Sequence, residues 1–150
     1  MKIQTSILVN APIETIWAKI IDIEHCEQTI KGIKKVVVLE KPDAGLVGFK
    51  WRETRVMFGK EADETMWITH CEDNHYYQTR AENSGAVYIS IMRVVQKGEQ
   101  VELSMEFQGE AQTMMAKIMS FIFTPLMKKS MVKMIHKDLE DIKNSLETKS

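Results

Sequence analysis

Cysteine is scarce, with Cys26 and Cys71 the only two in 150 residues. That count excludes a disulfide-dense secreted domain and fits a reducing compartment. An excess of one charge is missing too. Twenty Lys and Arg stand against 21 Asp and Glu, a formal net charge of −1. A nucleic-acid partner would call for a basic footprint, and attachment to a membrane surface by charge would call for a basic cluster. Neither is expected. Long apolar runs are absent as well. The most apolar stretch, Met114–Phe123, is interrupted by Lys117 and Ser120, and it has about half the length that crosses a bilayer. The opening MKIQTSILVNAP has one lysine and a short apolar core, Ile7–Val9, too little for a signal peptide. A cytoplasmic protein without stable membrane insertion is expected. There is no Gly-rich phosphate loop, nucleophile elbow or carboxylate dyad at helical spacing.

What is present is the composition of an ordinary globular chain. Hydrophobic residues make up 44% and charged residues 27%, so one domain spanning 1–150 can form a core without a metal or disulfide. No repeat, low-complexity tract or linker divides it.

Ile3, Thr5, Ile7 and Val9 alternate with their neighbours and predict a strand over Lys2–Asn10. Ala11-Pro12 then opens a helix, because proline suits a first turn whose N–H has no partner. Ile13, Ile16, Trp17, Ile20 and Ile21 form one buried stripe on it. A second short helix is expected over Glu24–Thr29, closed by Lys31-Gly32. Six strands follow, separated by turn signals. They cover Val36–Leu39, Leu46–Phe58, Lys60–Cys71, His75–Glu82, Ala86–Val95 and Val101–Gln108. In the last, Val101, Leu103, Met105 and Phe107 alternate with Glu102, Ser104, Glu106 and Gln108, so one face is buried and the other wet. The short turns imply an antiparallel meander.

The last third is helical. One apolar stripe runs through Met115, Ile118, Met119, Ile122 and Leu126, and another through Met127, Met131, Ile135, Leu139, Ile142 and Leu146. At about 100° per residue the two lie roughly 150° apart, so a straight helix cannot bury both against one sheet. Thr124-Pro125 suits a cap followed by a first helical residue, and a kink or break is expected there. The segment after it, about 22 residues, would extend about 33 Å.

This order of one strand, two short helices, six strands and a long helix resembles the helix-grip fold of the START and birch-pollen-allergen superfamily. It is most similar to the SRPBCC, or polyketide cyclase/dehydratase-like, branch. The similarity covers essentially the whole chain, with APIETIWAKIIDIEHCEQ, GFKWRETRVMFGKEA and HKDLEDIKNSLE as the nearest local features. None is a catalytic motif. The resemblance implies an α+β fold in which a curved seven-stranded antiparallel sheet grips the long helix around an apolar cavity. It also implies a small hydrophobic or lipid-like ligand and no cofactor. The alternatives are a cyclase or dehydratase using buried acid–base groups, and a protein-interaction module.

Met114, Met115, Met119, Met127, Met131 and Met134 all fall on the gripping helix. Thioethers fill cores and also line adaptable apolar surfaces, so either role is open to them. In the strand Leu46–Phe58, Phe49, Trp51, Glu53, Arg55 and Met57 share one face. If that face points inward, Glu53 and Arg55 form a buried acid–base pair. If outward, they continue as an exposed charge ladder to Glu61 and Asp63, the more ordinary arrangement. Arg80 and Arg93 are solvated or ligand-anchoring on the same reasoning. Tyr77 and Tyr88 suit a pocket rim, an apolar ring with a polar tip. The expected cavity lining is thus Trp51, Glu53, Arg55, Tyr77, Tyr88, Met105, Phe107, Met115, Met119, Met127, Met131 and Ile135. His25-Cys26 and His70-Cys71 lack metal-ligand spacing, and neighbours on a strand point to opposite faces, so no metal is expected. His75 and His136 read as surface residues.

Overall fold

The computed structural model describes residues 2–57, 59–83, 85–111 and 125–147. Each alternating segment becomes a strand: β1 (Lys2–Val9), β2 (Ile33–Glu40), β3 (Lys50–Met57), β4 (Lys60–Glu72), β5 (Tyr76–Asn83), β6 (Ala86–Lys97) and β7 (Gln100–Ala111). They form one sheet in the order β1-β7-β6-β5-β4-β3-β2, with every pairing antiparallel. The first two strands in sequence are therefore the two sheet edges. The chain crosses between them through α1 (Ile13–Ile20) and a 3-10 helix, Ile23–Gln28. A long helix, α2 (Pro125–Glu147), ends the described chain.

α1 forms where the stripe predicted it. Pro12 stands just before it in extended conformation, and its carbonyl accepts the N–H groups of Thr15 and Ile16, both at 3.1 Å. Ile16, Trp17 and Ile20 are buried. They pack over Val94, Val101, Leu103 and Tyr77, with Leu139 and Ile142 of α2 completing this core.

β3 starts later than its apolar pattern implied. Residues 46–49 lead into it through Gly48, whose φ of 95° is open to glycine but strained for a side chain. The Gly48 N–H donates to the Ile68 carbonyl at 2.9 Å, so contact with β4 starts at this bend and the regular ladder at Lys50. Asn74 takes the left-handed conformation, φ 61°, at the Asp73-Asn74 turn, where its short polar side chain makes that conformation acceptable. The expected second helix is a tighter 3-10 segment. Register shifts in β2–β3 and β4–β5 add local twist to the sheet.

Polar ties fix α2 on two sides. Thr5 Oγ1 lies 2.7 Å from His136 Nδ1, Lys143 Nζ donates to the Leu8 carbonyl at 2.7 Å, and Glu147 accepts the Asn10 N–H at 2.6 Å. Toward the other edge, Asp141 accepts the Lys31 N–H at 3.0 Å, and Asp138 binds Arg55 of β3. His136 is thus half-buried and engaged rather than a plain surface residue. The helix starts at Pro125, as the stripe analysis placed its second segment. What precedes it, and with it the kink or break at Thr124-Pro125, lies outside the described residues.

Candidate functional site

Between the inner sheet face, α1, the 3-10 helix and α2 lies a cavity of about 160 Å³. α1 and the 3-10 helix supply Ile20, Ile23 and Cys26, with Lys19, Asp22 and His25 beside them. The sheet supplies Trp51, Met66, Tyr77, Met92 and Met105, with Thr79 and Ser90 among them. Asp138 and Ile142 come from α2. The register explains the grouping, since Trp51 faces Met66, Thr79 faces Ser90, and Met92 faces both Tyr77 and Met105 across their ladders.

One end of this space is ionic. The exposed charge ladder does not form. Glu53 is opposite Glu64, and Arg55 is opposite Ala62. Asp63 and Glu61 therefore belong to the other face, bound to Thr54 and Lys34. Glu53 and Arg55 share the inward face with buried Trp51, their side chains only 13% and 14% exposed. Arg55 donates from Nε to Glu53 at 3.3 Å, and from Nη1 and Nη2 to the two Asp138 oxygens at 3.1 and 2.9 Å. One guanidinium thus serves two carboxylates. Gly32 backs it so closely that a Cβ there would lie 3.2 Å from Nη1.

Burial sets the protonation of this group. Loss of water pushes the Glu53 carboxyl above the ordinary carboxylate range, and Arg55 pulls it back only in part. Asp138 is raised for the same reason, again against the pull of Arg55. The Arg55 guanidinium loses hydration but is held charged by Asp138 and Glu53. The Trp51 indole N–H is buried without a hydrogen-bond partner. It lies close enough to Glu53 to favour the carboxylate without meeting the geometry of a full hydrogen bond. The Tyr77 hydroxyl donates to the Ile20 carbonyl at 3.3 Å, and its ring meets Trp17 edge-on at 6.2 Å. Burial raises the Tyr77 hydroxyl strongly, so it stays a neutral phenol. Burial, with the nearby Glu53 charge, pushes the Cys26 thiol up to about 12. Cys26 is therefore a neutral thiol and no nucleophile at pH 7.

Of the residues expected to line the cavity, Trp51, Glu53, Arg55, Tyr77 and Met105 do so. Tyr88 and Phe107 stack on each other at 5.7 Å, away from this lining. Ile135 is buried and Met131 half-buried on α2, but neither reaches the cavity. Met115 and Met119 lie outside the described residues, as does the side chain of Met127. Sequence reasoning missed Asp138, Met66, Met92 and Cys26. Met66 and Met92 follow from the alternation once the inward face is known. Asp138 carried a fainter signal, a carboxylate one residue before the apolar Leu139. Arg80 pairs with Glu82, and Arg93 lies over the Tyr76 ring. His70 turns to Thr69 while Cys71 turns to Asp73. Among the described residues, no three His, Cys, Asp or Glu side chains cluster in a metal-binding arrangement. No described helix is long and apolar enough to cross a membrane.

A curved antiparallel sheet closed around a C-terminal helix, with a polar-ended cavity between them, is the helix-grip architecture. Residues 1–147 match the family described as polyketide cyclase / dehydrase and lipid transport, and the chain belongs to that family. Solved structures agree over full length. TTHA0849 from Thermus thermophilus is 15% identical with a TM-score of 0.81, covering 100% of this chain and 99% of that one. A START superfamily protein from Mycobacterium smegmatis is 16% identical with a TM-score of 0.79, covering 99% of each. Ara h 8.0201 is 12% identical with a TM-score of 0.68, covering 99% and 98%. At these identities the likeness is one of fold. A search of curated proteins finds no match.

Proposed function

We propose that this protein binds a small, largely apolar molecule in the cavity, with the ligand's polar end toward Glu53 and Trp51. The observation that carries this is the asymmetry of the lining. Ile20, Ile23, Met66, Met92, Met105 and Ile142 make an apolar body, the Glu53–Arg55–Asp138 group makes a buried ionic end, and Lys19, Asp22 and His25 stand at the more exposed side. Convergent polar groups in an apolar recess are the pattern of a ligand site. A volume of about 160 Å³ is close to that of a dry cavity known to take benzene, about 150 Å³. It is below the roughly 300 Å³ at which drug-sized pockets begin. The resting cavity thus suits a compact ring or short chain, and a longer lipid-like guest requires it to widen.

The test is to fill it. Ser90→Phe projects a ring into the space from the sheet. The variant should fold with unchanged stability and lose binding of an apolar dye, followed by fluorescence and thermal melting. A loss of about 1–3 kcal/mol, the usual result of overpacking a filled core, would count against a ligand space there.

A second reading, acid–base catalysis of the cyclase or dehydratase kind, is favoured by one observation. Glu53 is a buried carboxyl whose proton affinity is raised, the condition for a general acid near neutral pH. Its expected mark is a reaction abolished by Glu53→Gln while ligand affinity is kept.

A further inference from the structure

The ionic end of the cavity discriminates by charge, and its groups name the chemistry it takes. We propose that the site selects a neutral molecule bearing a carbonyl oxygen, which accepts a hydrogen bond from the Trp51 indole N–H. This deepens the ligand-binding reading and rests on it.

The first ground is an unused donor. Trp51 is 5% exposed and lines the cavity, yet its Nε1 has no partner. A buried donor left unpaired costs about 1–3 kcal/mol, and an acceptor brought by a ligand removes that cost. The second ground is that the cation is already taken. Arg55 spends three of its five N–H groups, Nε on Glu53 and one from each Nη on Asp138, with Gly32 close behind Nη1. An incoming carboxylate would compete with two carboxylates for one guanidinium, and Glu64 lies across the ladder from Glu53. The third ground is geometric. A ligand ammonium would find an acceptor in Glu53, but it would stand beside the guanidinium and leave the indole N–H unpaired. A neutral carbonyl oxygen accepts from the indole N–H and brings no charge beside Arg55, Glu53 or Asp138.

The experiment uses four molecules of one shape, namely benzaldehyde, toluene, benzylamine and benzoate. Each is titrated into the full chain labelled with ¹⁵N and with ¹³C at the methionine methyls. The expected result is that benzaldehyde binds at least tenfold tighter than toluene, moves the Trp51 indole proton and shifts the Met66, Met92 and Met105 methyls. Benzoate should not bind. Trp51→Phe should bring benzaldehyde down to the toluene affinity. Glu53→Gln, which leaves the indole N–H in place, should retain benzaldehyde. Equal affinity for toluene and benzaldehyde with the indole unmoved overturns the carbonyl assignment and leaves the apolar cavity standing. So does tightest binding of benzylamine or benzoate. If none of the four moves the three methyls, the ligand-binding reading itself falls, and this assignment with it.

Discussion

Asp138 and Asp141 stand three residues apart on one helix, each beside a cation, yet their proton affinities move in opposite directions. Asp138 sits at the cavity end, where burial raises it and the shared Arg55 offsets only part of the rise. Asp141 is covered at least as fully, its side chain 3% exposed against 10% for Asp138. Burial pushes it up too, but the Lys137 ammonium and the Lys31 N–H more than offset this, and its carboxyl lies below the ordinary range. Lys137 makes its hydrogen bond to Asp141 and remains 53% exposed to water. Arg55 is divided between two buried acids. The difference separates a structural tie from a site. Asp141 holds α2 to the Lys31 backbone as a firm carboxylate, whereas the two acids that share Arg55 hold a proton more readily.

The largest effect expected from this contrast follows removal of the shared cation. Arg55→Met leaves Glu53 and Asp138 buried without a counter-charge, and stripping one partner from a buried pair typically costs about 3–5 kcal/mol. Urea unfolding at pH 7 should show that loss. It should shrink as the pH is lowered and both carboxyls take up protons. An undiminished loss in acid would mean that Arg55 acts through packing alone.

Next comes the pH profile of stability. Glu53 and Asp138 bind protons more tightly when folded than when unfolded. The stability they contribute is complete below the ordinary carboxylate range and is lost as pH rises through their raised values. Asp141 has the opposite sign, contributing above that range and losing its contribution as pH falls through its lowered value. Glu53→Gln and Asp138→Asn should each flatten the decline toward neutral pH, and Asp141→Asn should flatten the decline in acid. Thermal melts across pH 3–8 would resolve the two slopes, and identical profiles for all three variants would erase the distinction between tie and site.

The smallest effect is the direct cost of Asp141→Asn at pH 7. One backbone hydrogen bond from Lys31 is weakened and one ion pair lost, so about 1 kcal/mol is expected. A cost matching that of Arg55→Met would make both aspartates structural.

Most of the fold was legible because it rests on local periodicity. The alternation in Val101–Gln108 and the stripe Ile13, Ile16, Trp17, Ile20 each need only neighbouring residues, and the turn signals between strands fix an antiparallel order. The site was legible in half. Trp51, Glu53 and Arg55 were placed on one face by spacing alone, but which face pointed inward depended on the partner strand and on α2. An alternating strand of charged and aromatic residues satisfies either orientation locally. The exposed ladder failed because the register sets Glu53 against Glu64 rather than Asp63, and because Arg55 finds its main partner in Asp138, 83 residues away. No periodicity carries a pairing at that distance. Tyr88 and Phe107 show the converse. Both are aromatic, as a rim would want, and they satisfy each other instead.

A crystal structure of the protein grown with benzaldehyde is the most direct measurement of whether this space is a ligand site. Ring density between Met92, Met105 and Ile142, with its oxygen within hydrogen-bonding distance of Trp51 Nε1, is the predicted result. A cavity closed by the protein's own side chains, with no bound molecule at saturating ligand, would contradict it.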